Sequence, residues 1–204
     1  TLLEDYNCRY HISQVSSSKS VEVIKQRKEI VNFSCGVSIN NLSLNENDIG
    51  DFRTFLKLSP PLRTEEDRLS LVKAINNNLI DVIVSDHKPE DEESKRLTFS
   101  QAATGASGIE TLLPLSLELF HNGSVKLFKL IELLTSNPAK ILKINKGNLS
   151  IGNDADFCIV DIFKPWIVKK EKIVSKSKNT SIDDKKLQGQ VLNTFIKGEE
   201  LFKI

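Results

Sequence analysis

The residues best suited to chemistry follow a short apolar run. Residues 80–85, IDVIVS, are β-branched at their centre, and the next two residues are Asp86 and His87. A buried parallel strand has this pattern when its carboxyl end opens into a site, and Pro89 prevents a helix from starting directly behind it. A carboxylate at such a strand end can bind a cation or accept a proton from water, so Asp86 is the best candidate for a metal ligand or a general base. The alternative is an aspartate that caps the following turn.

The histidines offer few further metal ligands. His87 could bind metal or substrate, or it could be a hydrogen-bonded structural group. His11 lies in an apolar run and is expected to be packed in the core, whereas His121, in LFHNGS, is expected at a helix end with its charge near the helix dipole. A tetrahedral zinc site needs three or four convergent ligands, and the sequence offers too few at suitable spacings.

Familiar nucleophile and phosphate motifs are missing from the sequence. There is no GxSxG elbow, no P-loop and no GxGxxG. Residues 105–108, GASG, precede a helical pattern and predict a tight turn rather than an anion site.

The elements that would position Asp86 alternate along the first part of the chain. The pattern predicts strands over residues 9–13, 30–37 and 80–85, with helices over residues 18–28 and 64–77 between them. This order predicts parallel β/α units. Three parallel strands cannot close an eight-stranded barrel, so either the rest of a barrel lies in upstream sequence or the sheet is open. A chain that starts with Thr1 and contains no methionine is expected to be a processed or partial product.

Several polar residues predict helix starts. Ser17 or Ser18 can cap the first helix, and Thr64 with Asp67 resembles a capping box at the second. Serine and asparagine at 136–137 predict a cap with Pro138 at the first helical position.

The pattern changes in the second half of the chain. Residues 109–121, 125–135 and 138–142 are helical in pattern, and from Lys146 onward short β segments alternate with glycine and Asn-Asp turns. We therefore predict a second, small β domain beside the α/β part.

Composition excludes several classes of partner. The chain has 204 residues, 39% hydrophobic content and a net charge of +1. A charge this small produces no strong positive potential that would attract nucleic acid or an anionic membrane. No run reaches the ~18 to 20 apolar residues of a membrane span, so we expect a cytoplasmic protein. The cysteines Cys8, Cys35 and Cys158 are odd in number, lack CxxC spacing and lie near apolar runs, which favours buried reduced thiols.

Six segments, taken in order, resemble the C-terminal half of bacterial class I dihydroorotases. They are SPPLRTEEDR (59–68), DVIVSDHKPEDEESK (81–95), GASGIETLLPL (105–115), TSNPAKIL (135–142), KGNLSIGNDADFCIVD (146–161) and SKSKNT (175–180). The KGxLxxGxDAD pattern marks only the amidohydrolase superfamily, whereas the NPPLR-like and SKSKNT-like segments point to dihydroorotase over hydantoinase or allantoinase.

The resemblance implies an α/β fold, namely a metal-bearing (β/α)8 TIM-type barrel with a small β-sandwich. Residues 1–145 would supply about strands six to eight of the barrel with their helices, and residues 146–204 would form a β-sandwich portion. The HxH pair of strand one and the ligands of strands four and five would lie upstream.

The resemblance also assigns roles to individual residues. Asp86 would bind zinc and shuttle the proton, and Gln14 occupies the position of the strand-six metal histidine, where an amide oxygen is a poor replacement for imidazole. Substrate contacts would come from His87, from Ser59 in place of the asparagine of NPPLR, and from Glu90 in place of a histidine. A carboxylate at residue 90 would repel the anionic carbamoyl aspartate or dihydroorotate.

The differences concentrate on side chains that would face the reaction centre. The family's PHH after the seventh strand is replaced by Ile39, Asn40 and Asn41, while turn prolines, helix caps and sandwich motifs match. This selectivity predicts a homologue that has lost the reaction, which in active relatives is the reversible closure of carbamoyl aspartate to dihydroorotate by a metal-bound hydroxide.

Three hypotheses follow. The first is a non-catalytic, homo-oligomeric subunit without zinc, similar to inactive homologues that support aspartate carbamoyltransferase assemblies. The second is an active zinc hydrolase with metal at Asp86. The third is a cyclic amidase with another substrate, because Glu90 and Ser59 suit a less anionic ring. None of the three involves nucleic acid or a membrane.

Overall fold

The computed structural model describes residues 2–6 and 8–204, which form a mixed α/β fold with two sheets. The strands are β1 (Tyr10–Ile12), β2 (Phe33–Ser38), β3 (Val82–Val84), β4 (Phe157–Ile167), β5 (Lys186–Ile196) and β6 (Glu199–Lys203). The α-helices are α1 (Leu2–Asp5), α2 (Ser18–Arg27), α3 (Ile39–Ser43), α4 (Glu65–Asn76), α5 (Glu92–Lys95), α6 (Leu112–His121), α7 (Leu127–Leu134) and α8 (Ser136–Leu142). Short 3-10 turns lie at Glu46–Ile49, Thr54–Leu56 and Lys170–Lys172.

The first sheet is parallel and has the order β1-β2-β3. The predicted alternation of strand and helix is therefore confirmed, with α2 and α4 as the connections. The central strand β2 is the most buried, and the side chains of Cys35 and Val37 have no exposed surface. Because all three strands run the same way, their carboxyl ends meet at one edge of the sheet.

The caps of α2 and α4 were predicted well, with one difference at α4. The Ser17 hydroxyl accepts a hydrogen bond from the Ser20 N–H, and the Thr64 hydroxyl accepts one from the Asp67 N–H. The Asp67 carboxylate does not close a capping box onto the Thr64 backbone. It accepts instead from the backbone N–H and the hydroxyl of Ser18, each at 2.7 Å, and so ties the start of α2 to α4.

Helix α8 begins earlier than predicted. It starts at Ser136 with Thr135 as its N-cap, so Pro138 is the third helical residue rather than the first. Proline is tolerated there because the backbone N–H groups of a first turn have no partner within the helix. The Asn137 side chain, predicted as a cap, donates instead to the Asp81 carbonyl at 3.0 Å.

The second sheet is antiparallel and has the order β4-β5-β6. It packs on α6, where a Cβ at Gly189 would lie 2.3 Å from Leu117 Cδ1 and would have to displace that side chain; the φ of +106° at Gly189 further favours glycine. The residues that the structure describes contain one antiparallel sheet, so the second layer of the predicted sandwich is not confirmed. A domain boundary near residue 146 stays a prediction.

Cysteine burial was predicted correctly at one position only. All three thiols are free, but Cys8 and Cys158 are exposed, because Cys158 lies on the exposed end of β4. Cys35 is buried in β2, and burial raises the pKa of its thiol to about 12.

Two histidines lie away from the strand ends. His11 is exposed, so the predicted core position is wrong. Its strand β1 is short and forms the edge of the parallel sheet, and its ring pairs with the Ser34 hydroxyl at 2.7 Å. His121 ends α6 as predicted, and its Nε2 donates to the Ile162 carbonyl at 2.9 Å, which ties the helix to β4. In the described part of the chain, every helix is too short or too polar to cross a membrane.

Candidate functional site

Three polar side chains meet where the parallel strands end, and we call them the strand-end site. Gln14 lies two residues beyond β1, Ser38 is the last residue of β2, and Asp86 lies two residues beyond β3. Gln14 Nε2 donates to Asp86 Oδ1 at 2.6 Å, and the Ser38 hydroxyl donates a longer bond of 3.5 Å to Oδ2. The structure thus brings together the two residues that the sequence placed at metal positions.

Ser38 was not identified from the sequence. It directly follows the predicted strand over residues 30–37, and a polar residue at that place was the available signal. It also caps α3, because its hydroxyl accepts from the Asn40 N–H at 3.2 Å.

The Asp86 carboxylate is in an unusual environment for a charged group. Its backbone has a φ of +50°, a left-handed conformation in which aspartate is among the tolerated residues. Burial raises the pKa of this carboxyl, while hydrogen bonds from Gln14 and Ser38 and the charge of Lys88 oppose the rise. The ionised form is therefore held mainly by neutral donors.

His87 faces the backbone of the next loop. Its Nδ1 accepts from the N–H of Gly108 at 3.1 Å, with a second contact of 3.4 Å from the N–H of Ile109. These donors place the ring proton on Nε2. Gly108 cannot be replaced freely, because a Cβ there would lie 2.4 Å from the Ser85 carbonyl oxygen. The tight turn predicted at residues 105–108 is wrong in position. Ala106 and Ser107 are extended and form bridges with His87 and Thr180, and the turn follows at residues 108–111, where the Thr111 N–H donates to the Gly108 carbonyl at 3.3 Å.

A second cluster, which we call the Asn179 junction, consists of Asn179, Glu90, Gly105 and Ser107. Asn179 is only 3% exposed. Its Oδ1 accepts from the Glu90 N–H at 3.3 Å, and its Nδ2 donates to the Gly105 carbonyl at 3.1 Å. Its carbonyl accepts from the Ser107 N–H at 3.0 Å. The SKSKNT segment therefore holds two loops that flank the strand-end site, a role that the sequence did not reveal.

Besides its backbone contact in the Asn179 junction, Glu90 lines a cleft of about 440 Å³. Lysines 170, 176 and 178 line the same cleft. The buried Lys95 is close enough to feel the charge of Glu90, yet its ammonium group donates to the carbonyls of Thr54 and Ala103, at 3.1 and 2.7 Å. Burial lowers the pKa of Lys95 to about 8.

The remaining predicted positions are spread around these clusters. Ser59 is exposed in the turn before Pro60. Asn40 and Asn41 are each 3% exposed and point into the fold: Asn40 Oδ1 accepts from the Ser181 hydroxyl, and Asn41 Nδ2 donates to the Pro61 carbonyl at 3.0 Å.

The side chains that the described residues contribute to the strand-end site do not suit a zinc ion. Within residues 2–6 and 8–204 no three His, Cys, Asp or Glu side chains are grouped so that they could hold a metal. The strand-end site itself offers one carboxylate, one hydroxyl and one amide, and the amide presents its N–H to the carboxylate. Zinc prefers imidazole, thiolate and carboxylate.

Comparison with known proteins gives a consistent result. The model of the amidohydrolase family matches residues 6–201. The dihydroorotase of Ehrlichia canis is 42% identical over 96% of this chain and 44% of its own length, and that of Aquifex aeolicus is 38% identical over 95% and 46%. The chain thus spans about half the length of these curated relatives, and they confirm the resemblance seen in the motifs.

Solved structures agree with the sequence relatives. The L-hydantoinase of Arthrobacter aurescens superposes with a TM-score of 0.94 at 29% identity, over 99% of this chain and 46% of that one. The dihydropyrimidinase of Brevibacillus agri gives 0.89 at 21% identity, over 97% and 45%, which shows the shared fold alone.

Proposed function

Because the chain belongs to the amidohydrolase family, we propose that it is the C-terminal part of a dihydroorotase-type protein of pyrimidine biosynthesis. In this proposal residues 1–145 contribute strands six to eight of a (β/α)8 barrel, and residues 146–204 contribute part of a β-sandwich. The exposed outer edge of β1 suits a sheet that continues in a barrel.

The reaction of active dihydroorotases has been lost in this proposal. One observation carries it: at the position of a metal histidine, Gln14 donates an N–H to the carboxylate of Asp86 at 2.6 Å. That hydrogen bond occupies one of the two Asp86 carboxylate oxygens that could bind a metal or accept a proton. A glutamine side chain offers only an amide oxygen, which is a poorer zinc ligand than an imidazole nitrogen.

The charge around Glu90 supports the same proposal. Carbamoyl aspartate and dihydroorotate are anions, and a carboxylate at a substrate-contact position repels them. The cleft that Glu90 lines is mixed in charge, with four carboxylates (Glu90, Asp91, Glu92 and Glu171) and three lysines (170, 176 and 178). The buried Lys95 also acts on Glu90, but its ammonium group is committed to two backbone carbonyls. Ser59 has a shorter reach than the asparagine of the family motif.

A non-catalytic role implies a partner. We propose a homo-oligomeric subunit that supports an aspartate carbamoyltransferase assembly in the cytoplasm. Dihydroorotase and aspartate carbamoyltransferase share an intermediate, so a retained scaffold could still serve the complex.

Two other functions remain as alternatives. An active zinc hydrolase would bind metal at Asp86 with ligands from outside residues 1–204. A cyclic amidase for a less anionic ring is favoured by Glu90, by Ser59 and by the likeness to a hydantoinase at 29% identity.

The test is elemental analysis for zinc on the longest purified form, together with hydrolysis of dihydroorotate, hydantoin and dihydrouracil. We expect no stoichiometric zinc and no turnover, with recovery of both in the triple variant Gln14→His, Ser59→Asn and Glu90→His. Stoichiometric zinc with dihydroorotate turnover in the parent would support the active hydrolase. Turnover of the neutral rings alone would support the cyclic amidase.

A further inference from the structure

The hydrogen bond between Gln14 and Asp86 joins two strands that are not neighbours. The sheet order is β1-β2-β3, so β2 lies between the strand that leads to Gln14 and the strand that leads to Asp86. Backbone hydrogen bonds tie β1 to β2 and β2 to β3, at registers such as Ile12 with Cys35 and Ser38 with Val84. Beyond the ends of β1 and β3, side chains make the connection across the sheet.

The geometry of this bond is that of a charge-assisted hydrogen bond. At 2.6 Å it is short for an N–H donor, and its acceptor is a half-buried carboxylate. Ser38, from the strand in between, gives Asp86 a second neutral donor at 3.5 Å. A carboxylate that lost the amide would keep only the longer bond.

Asp86 reaches this position through a backbone that is otherwise uncommon. Its φ of +50° occurs two residues beyond β3 and directly before His87, whose ring accepts from the Gly108 N–H. A residue held in this conformation is normally over-determined by its surroundings. The Gln14 amide is the shortest polar contact of the Asp86 side chain.

We infer that the Gln14–Asp86 hydrogen bond provides in this chain the cross-link between β1 and β3 that a bound metal ion would otherwise provide, so that the stability of the fold is independent of zinc. The inference rests on the proposed loss of the metal site. It goes beyond that loss, because it gives the substituted glutamine a structural role of its own.

Thermal unfolding of the longest purified form tests the inference, in EDTA and in added zinc chloride. The Gln14→Met variant keeps side-chain length and removes the donor, and the matched control is Gln26→Met on the exposed face of α2. We expect the parent to unfold at the same temperature in EDTA and in zinc. We expect Gln14→Met to lose roughly 5 °C and Gln26→Met to lose roughly 1 °C or less.

A second pair of variants identifies the acceptor and guards against a variant that fails to fold. Gln14→Asn withdraws the amide by one methylene and is expected to lose part of the same stability. In an Asp86→Asn background, Gln14→Met should cost at most half as much as in the parent, because the acceptor is no longer charged.

The outcomes separate the inference from the proposed function. If zinc stabilises the parent by several degrees, the metal site persists and both fail. If the parent is indifferent to zinc while Gln14→Met and Gln14→Asn unfold together with Gln26→Met, the metal site is lost but the cross-link does not exist, and only the inference fails.

Discussion

The Asn179 junction and the strand-end site share the loop after β3, which carries both Asp86 and Glu90, yet they differ in how their polar groups are satisfied. At the Asn179 junction a neutral, buried side chain uses both ends of its amide and its own carbonyl on backbone partners. At the strand-end site a half-buried carboxylate is held by a neutral amide and a distant hydroxyl. The first arrangement is what a scaffold needs, and the second retains a costly charge.

This difference explains which motifs have stayed like those of dihydroorotases. The SKSKNT and GASG segments position backbone, and any change there disturbs two loops at once. Gln14 contacts Asp86 through its side chain, and Glu90 lines a separate cleft, so substitution of either side chain leaves the main-chain path intact.

The largest expected effect comes from breaking the Asn179 junction. Asn179→Ala removes both amide hydrogen bonds and leaves the Glu90 N–H and the Gly105 carbonyl without their partner. We expect the free energy of unfolding to fall by about 3 kcal/mol, measured by urea denaturation. Asn47→Ala, at an exposed position, is the control and is expected to change it by less than about 0.5 kcal/mol. Equal effects of the two variants would show that the junction carries no special stability.

A somewhat smaller loss of stability is expected from Gly108→Ala, in the loop that contacts His87. A Cβ at residue 108 would meet the Ser85 carbonyl at 2.4 Å, so Gly108→Ala must displace the backbone that donates to His87 Nδ1. We expect a loss of about 2 kcal/mol. The imidazole resonances of His87 should shift in the NMR spectrum, while those of His121, which contacts β4, should not. Unchanged His87 resonances would contradict the assigned contact.

The pH dependence of stability tests the buried charge of Lys95, which lies close to Glu90 of the Asn179 junction. Lys95 has its pKa lowered to about 8 by burial, so between this value and its ordinary 10.5 the unfolded chain binds more protons than the folded one. Stability should therefore rise with pH in this window, by about 1 kcal/mol from about pH 7 to about pH 9. Lys57, Lys88 and Glu90 are the charged groups that act on Lys95.

The control for this titration is Lys95→Met, whose stability should show a flatter dependence on pH. The upper limit near pH 9 matters because of Cys35. Its pKa is raised to about 12, so the folded state keeps the thiol proton longer and stability falls with pH above the ordinary value of 9.0. An identical slope in parent and Lys95→Met would rule out Lys95 as its source.

The sequence predicted the part of this comparison that depends on local pattern. Parallel β/α units, the Thr64 cap and the strand end before Asp86 follow from periodicity and capping. The turn predicted at residues 105–108 lies at residues 108–111 instead, because Ala106 and Ser107 are held in bridges by distant partners. The Asn179 junction could not be predicted, because an asparagine in a lysine-rich segment carries no sign of burial, and its partners lie 74 and 89 residues away.

The errors have similar physical origins. His11 was expected in the core because its neighbours are apolar, but β1 is three residues long and lies at a sheet edge. Cys158 was expected to be buried for the same reason, on a strand whose end is exposed. Local hydrophobicity does not report which elements cover a strand.

The smallest expected effect is also the one that bears most directly on why Asp86 is retained. Burial raises the pKa of Asp86 above its ordinary value of 3.8, so the folded state holds this proton to higher pH than the unfolded chain does. The contribution of Asp86 to stability is therefore lost as pH rises, and at neutral pH the ionised carboxylate costs free energy. Asp86→Asn removes the charge and still offers Gln14 an oxygen acceptor. We expect it to be neutral or stabilising by up to about 1 kcal/mol at pH 7 in urea denaturation, and to lose this advantage at about pH 4.

Asp91→Asn, at the exposed cap of α5, is the control. Hydrogen bonds from Ser94 lower the pKa of the Asp91 carboxyl, so this substitution should destabilise the protein at pH 7 rather than stabilise it. A clear loss of stability in Asp86→Asn at neutral pH would mean that the charge itself holds the strand ends together, and the contrast between a satisfied junction and a costly site would fail.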